Sequence, residues 1–189
     1  INIYSALYYR LITFKEKNIP SGRIEDYHIT GELESTFYSF YAGLNSKGID
    51  SIAQKNGPFN EYYKNGNKSN QSSYFDNQKQ GEEIWYYKSG EVKYTRNYID
   101  DLLQGEQIGY YASGEKSFTR NYIDGLAQGE YFNYYKTGEV KYTQNYIDDL
   151  RQGEEIGYYE SGEKKYTQNY IDDLRQGEKI AYYESGEVK

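Results

Sequence analysis

The chain has 189 residues, a formal net charge of −7, one histidine, and neither cysteine nor methionine. Nucleic acid and anionic membrane surfaces are disfavoured as partners, because phosphate-binding surfaces need a basic stripe. Without thiols there is no disulfide frame and no cysteine-based metal site. Tyrosine, at 27 copies, dominates the apolar fraction, and Leu, Ile, Val and Phe are scarce. Scarce aliphatics hint at disorder, but tyrosine joins an apolar body to a polar tip and can build a thin, half-wet core. No apolar run approaches the roughly 18 residues of a membrane-spanning helix. The composition fits a cytosolic and an exported chain alike, so the compartment stays open.

Residues 1–26 read INIYSALYYRLITF and then KEKNIPSGRIED. The first part is aromatic and β-branched, which predicts a strand or short helix. The second, with Pro20 and Gly22, predicts a polar loop. Together they are expected to cap the array that follows. The first residue is Ile1 and the last unit stops halfway, at Lys189. Both features lead us to expect a trimmed piece, with an open sheet edge inviting end-to-end self-association.

Residues 27–56 read as a degenerate first repeat. Tyr27, Thr30, Gly31 and Glu32 stand where later units have Tyr, Ser, Gly and Glu. The segment LNSKGIDSIAQKNG then stretches the step from Gly31 to Gly66 to 35 residues, which predicts a longer hairpin or loop. From Gly57 to Lys189 the period is a steady 24 residues. A tyrosine pair returns at Tyr62-Tyr63, Tyr86-Tyr87, Tyr110-Tyr111, Tyr134-Tyr135, Tyr158-Tyr159 and Tyr182-Tyr183. Glycines keep the same step, at Gly66 to Gly186 after each pair and at Gly57 to Gly177 before it. A fixed period of this size marks a repeat architecture.

Each unit resolves into two strands and two turns. In the copy from Gly105 the strands are Glu106–Tyr111 and Glu115–Ile123. The first turn is Ala112-Ser113-Gly114, a three-residue loop with glycine at its left-handed position. It sets Tyr110 opposite Lys116 and Ile108 opposite Phe118. Ile108, Tyr110, Phe118 and Tyr122 then share one face, while Gly109, Tyr111, Ser117, Thr119, Asn121 and Ile123 share the other. The second turn is Asp124 to Gln128. A single unit is too small to offset its own chain entropy, so neighbours must complete it. The expected fold is all-β: an elongated single-sheet array of consecutive antiparallel β-hairpins.

Two segments carry a resemblance. Asp124-Gly125-Leu126-Ala127-Gln128-Gly129 resembles the N-G-K-x-H-G core of the MORN repeat, and Tyr134-Tyr135-Lys136-Thr137-Gly138-Glu139 is similar to its following Y-x-x-x-G turn. The bacterial MORN-variant repeat of the YwqK antitoxin-like group is the closer pattern. The likeness spans about residues 57–189. The departures are Asp-Asp for Asn-Gly in most copies, Glu for Lys after the tight-turn glycine, and a period of 24. They make the surface more acidic and speak against the phospholipid binding of some MORN proteins. The resemblance implies a twisted sheet of hairpins serving as a scaffold or partner-binding module.

No catalytic site is expected. His28 is the sole histidine and reads as a surface or turn residue. The turn pairs Asp100-Asp101, Asp148-Asp149 and Asp172-Asp173 could suggest a calcium ladder, but two carboxylates per turn are few for that ion. Aspartate is also an ordinary turn residue. Glu106, Glu130, Glu154 and Glu178 could suggest a glycosidase pair, but a catalytic pair is needed once, not in every repeat. We therefore expect neither metal nor cofactor. The binding candidates are the second tyrosines, Tyr63, Tyr87, Tyr111, Tyr135, Tyr159 and Tyr183, as an exposed aromatic file, together with Trp85. The leading reading is a non-enzymatic scaffold that binds a protein through this aromatic-rich face. A glycan- or cell-wall-binding module is the alternative, and an accessory domain of a larger enzyme or antitoxin-like protein is a third.

Overall fold

The computed structural model describes residues 8–16, 19–28, 31–39 and 55–189. Every regular element among them is a β-strand, and the strands pair antiparallel. Most of the lengthening segment before Gly57 and the side chain of His28 lie outside the described residues. The chain forms two compact units. One holds residues up to Glu91 with Tyr98–Asp101, and the other holds Val92–Asn97 with Leu102–Lys189.

In the first unit, strand Tyr8–Glu16 pairs with Ile19–His28. The polar loop expected over KEKNIPSGRIED is therefore largely strand. Pro20 is tolerated because it falls in a register irregularity between Glu16↔Ile19 and Phe14↔Gly22, where no ladder hydrogen bond is required of it. Strand Ile19–His28 then pairs with Leu33–Ser39, from Gly22↔Ser39 to Tyr27↔Leu33. This register matches that of Lys55–Tyr62 with Lys68–Phe75, which runs from Gly57↔Tyr74 to Tyr62↔Lys68. Gly22 thus takes the place of Gly57.

The second unit repeats the same hairpin. Strands Gly105–Tyr110 and Lys116–Ile123 form one copy, Gly129–Tyr134 and Val140–Ile147 the next, and Leu150–Tyr158 and Lys164–Ile171 the third. The tight turn is the expected three-residue loop. The Tyr111 amide donates to the Glu115 carbonyl at 2.8 Å, and the Gly114 amide donates to the Tyr111 carbonyl at 2.9 Å. Gly114 has φ +103°, a conformation that side chains with a Cβ adopt at a cost.

Beyond the turn, the expected register fails. Tyr110 does face Lys116, but Gly109 faces Phe118 and Ile108 faces Thr119, because Ser117 is an extra, bulged residue. The same bulge follows Tyr134↔Val140 and Tyr158↔Lys164. Phe118 and Tyr122 therefore share a face with Gly109 and Gly105, and Ile108 shares the other with Thr119. The packing reason is visible at Gly109. A Cβ there would lie 2.1 Å from Phe118 Cε1, so the ring rests on bare backbone.

The second turn also differs from expectation. It has two residues, not five: Ile123 faces Leu126 around Asp124-Gly125. Asp124 and Gly125 have φ 50° and 84°, and Asp100 and Asp101 have 49° and 67°. Two left-handed residues in a two-residue hairpin make a type I′ turn. The core is thin. Among the described residues the buried apolar ones are Phe59 and Tyr98 in the first unit and Ala127 and Tyr170 in the second, and the polar Asn70, Ser72, Thr119, Gln144 and Gln168 are also buried. The Gln144 amide donates to the carbonyls of Asn145 and Gln152, as burial of such a group requires.

Candidate interaction surfaces

The second tyrosines lie at the tight turns, and the structure gives them a bracing role within the repeat array. In the first unit the Tyr63 hydroxyl donates to the Tyr86 carbonyl at 2.8 Å. In the second unit Tyr111 reaches the Tyr134 carbonyl at 2.6 Å, Tyr135 that of Tyr158 at 2.8 Å, and Tyr159 that of Tyr182 at 2.8 Å. Each hydroxyl thus crosses to the following repeat. Lysines lie against the rings: Lys141 sits 5.7 Å from the Tyr135 centroid and Lys165 5.4 Å from that of Tyr159. Both lysines are the extra residues of the bulges, so the register shift brings a cation to the ring. Tyr63, Tyr87, Tyr111, Tyr135 and Tyr159 are half-buried, and Tyr183 is exposed. Trp85 is half-buried in the first unit, opposite Asn70.

A second aromatic group lies on the face that the bulge builds. Tyr131 stands 5.3 Å from Tyr142, 6.1 Å from Phe118 and 6.4 Å from Tyr146, ring centre to ring centre. The Arg120 guanidinium lies 4.4 Å from the Tyr146 centroid. Further along the unit, Arg151 lies 4.0 Å from Tyr170 and Lys179 3.5 Å from Tyr166. These separations suit aromatic pairing and cation–π attraction. Burial pushes the Tyr142 phenol up, reinforced by a hydrogen bond with Tyr131. Burial also raises Tyr146, against the pull of Arg120 and Arg151, and pushes Tyr166 up to about 12 with help from Glu155. All four rings of the Tyr131 group are half-buried, like the second tyrosines, and keep part of their surface open. Sequence reasoning missed this group because a one-residue bulge moves Phe118 and Tyr122 to the other face. The available signal was the glycine at Gly109 and Gly157, on which the Phe118 and Tyr166 rings rest.

The corresponding face of the first unit is charged. Lys79 bonds the buried Glu83, and Lys55 lies 4.0 Å from the Phe59 ring. Burial holds the Glu61 carboxyl above the ordinary range, although Lys55 and Lys79 pull it down. The opposite face of this unit has a shallow depression lined by Pro58, Asn60, Gln71, Ser73 and Glu82, a polar surface with no aromatic platform.

The turn aspartates are tied to the repeat before them. Asp101 accepts the Lys79 amide at 2.7 Å, Asp149 the Ala127 amide at 2.8 Å, and Asp173 the Arg151 amide at 2.9 Å. The amides of Asp101, Asp149 and Asp173 donate back to the same three residues. The first aspartates, Asp100, Asp148 and Asp172, take the side-chain amides of Gln80, Gln128 and Gln152. Among the described residues no three carboxylate or imidazole groups converge as metal ligands would.

Compared with known proteins, residues 79–100, 127–148 and 151–172 match the family model described as the MORN repeat variant. No curated protein matches the chain. Each matched stretch opens at or just after a type I′ turn and runs through one whole hairpin to the next such turn. MORN repeats are in general non-enzymatic scaffold modules. Three copies in the periodic region thus match the variant form of the MORN repeat.

Proposed function

We propose that the chain is a non-enzymatic scaffold that holds a protein partner against the aromatic face around Tyr131, Tyr142 and Tyr146. The observation that carries this reading is the grouping of these partly open rings beside Arg120. Tyrosine and arginine grouped on one surface are the residue types that dominate protein interfaces. In this reading the second tyrosines Tyr63, Tyr111, Tyr135 and Tyr159 act as ribs that hold successive repeats in register, while Tyr87, Tyr183 and Trp85 add aromatic surface. A repeated, braced surface suits a scaffold, whereas a catalytic constellation needs its groups once.

The test places a photo-reactive benzoylphenylalanine at Tyr142 in the full chain and irradiates native host cells. We expect a discrete protein adduct that disappears when Arg120→Ser and Tyr131→Ser are added. Absence of any protein adduct, with saturable quenching of the purified chain's tyrosine fluorescence by wall polysaccharide, would instead assign the surface to glycan.

A further inference from the structure

The type I′ turns of the second unit expose a line of aliphatic side chains that the fold does not use. Ile123 faces Leu126, Ile147 faces Leu150, and Ile171 faces Leu174. These six are between 40% and 68% exposed. Alternation along the strand puts Ile123 on the face opposite Tyr122, so this ridge is separate from the aromatic surface. Single exposed aliphatics are ordinary, but a repeated, aligned set marks an interaction surface.

Carboxylates fence the ridge on both sides. Outside it are the exposed turn residues Asp124, Asp148 and Asp172. Inside it, on the same face, Glu130 pairs with Asn145 and Glu154 with Asn169, both glutamates exposed. Arg151, next to Leu150 along the chain, is drawn to Asp173 and stacks on Tyr170, a ring on the other face. An aliphatic stripe between two acidic rows is the complement of an apolar stripe between two basic rows. Spacing adds a second match. Two strands advance a sheet by about 10 Å, and seven residues advance an α-helix by about 10.5 Å. A helix with one aliphatic side chain per heptad therefore meets one Ile-Leu pair per repeat. Sheet twist limits the match to about two or three repeats.

We propose that this ridge docks a cationic amphipathic helix of a partner protein, with Leu-type residues at heptad spacing and Lys or Arg along both flanks. The aliphatic pairs supply burial, and the two acidic rows set orientation and exclude acidic helices. The proposal uses a different face from the aromatic surface and does not depend on it.

The test measures fluorescence anisotropy of synthetic helical peptides against the full chain at physiological salt. One peptide carries Leu at heptad spacing with Lys flanks, a second has Glu flanks, and a third is a scramble of the first. The Lys-flanked peptide should bind saturably and alone. Ile147→Ser with Leu150→Ser should weaken it by about tenfold or more, while Glu184→Gln, at an exposed tight turn, leaves it unchanged. Glu130→Lys with Glu154→Lys should shift preference toward the Glu-flanked peptide, and as a surface change it serves as the check should the serine pair perturb folding. Binding that ignores the serine pair in a chain of unaltered circular dichroism would be charge attraction alone and would overturn the proposal. So would equal binding of the scramble. If the same substitutions instead abolish self-association in sedimentation, or capture by phosphatidylserine vesicles, without any peptide binding, the ridge belongs to a second copy or to a lipid surface and the proposal is wrong.

Discussion

Two hairpins, one in each unit, share a backbone register and differ in the row just inside the bulge. Lys55–Tyr62 with Lys68–Phe75 runs Gly57↔Tyr74, Glu61↔Asn70, Tyr62↔Lys68, with Ser69 bulged. Gly105–Tyr110 with Lys116–Ile123 runs Gly105↔Tyr122, Gly109↔Phe118, Tyr110↔Lys116, with Ser117 bulged. In the first, the row inside the bulge is a carboxylate facing an amide. In the second, it is bare backbone under an aromatic ring. The turns are the common factor, with the same pair of hydrogen bonds closing each: Tyr63 to Asn67 and Gly66 to Tyr63 in one, Tyr111 to Glu115 and Gly114 to Tyr111 in the other. The comparison teaches that turn chemistry sets the register, and that face chemistry is then free to vary between units.

The strongest way to break that comparison is to fill the seat under a ring. A Cβ at Gly157 would lie 2.2 Å from Tyr166 Cε1. Gly157→Val should cost about 1–3 kcal/mol in chemical denaturation through overpacking. A variant as stable as the parent would mean that the rings do not depend on their glycine seats. Next comes the type I′ turn. Asp149 has φ 68° and accepts the Ala127 amide. Asp149→Ala should cost about 1 kcal/mol, chiefly the lost acceptor, because the parent side chain already carries a Cβ in the left-handed conformation. Asp149→Asn, which keeps an acceptor oxygen and tolerates that conformation, should cost much less; equal losses for the two variants would deny the acceptor its role.

An effect of similar size is expected at the staples. Tyr135→Phe deletes the hydroxyl bonded to Tyr158 and should cost about 1 kcal/mol, read as a fall in Tm of roughly 2–4 °C. The remaining two predictions contrast the units through pH. Tyr166 is raised from 10.0 to about 12 by burial and by Glu155. A phenol that stays protonated longer in the folded chain contributes stability that is complete below its free value and is lost as pH rises toward the folded one. Stability of the second unit should therefore decline between pH 10 and about 12, and Tyr166→Phe should flatten that decline. Glu61 is raised from 4.5 by burial. By the same sign, its contribution is present below that value and is lost as pH rises. Glu61→Gln should consequently raise Tm at neutral pH by about 2–4 °C, with little change under acid conditions. A lower Tm for this variant at neutral pH would show that Lys55 and Lys79 outweigh the burial.

The hairpin succession and the three-residue turn were legible because glycine at a fixed step has few other uses. Gly114 needs its left-handed conformation, and Tyr110 does face Lys116. The type I′ turn was only half legible. Asp-Asp resists the left-handed pair that Asn-Gly adopts easily, and the acceptance of the Lys79 amide by Asp101 across the repeat is a contact no local pattern displays. The strand over Ile19–His28 was hidden by Pro20 and Gly22, which local reasoning assigns to a loop. The tyrosine pair was visible as a file, but not the fate of its second member. That depends on the Tyr158 carbonyl lying within reach of Tyr135.

By itself, the sequence determined the all-β class, the 24-residue step, the position of each tight turn and the MORN-type repeat. These follow from backbone sterics at glycine and from period, both properties of neighbours along the chain. Only the tertiary structure decided which face each aromatic occupies, which hydroxyls brace the next repeat, and which aliphatics remain uncovered. A single bulged residue, Ser117, reverses the facing of everything after it. The same bulge forms at Ser69, where Glu61 faces Asn70, so it comes with the turn; what each row then packs against is decided by residues of the facing strand, which are distant along the chain.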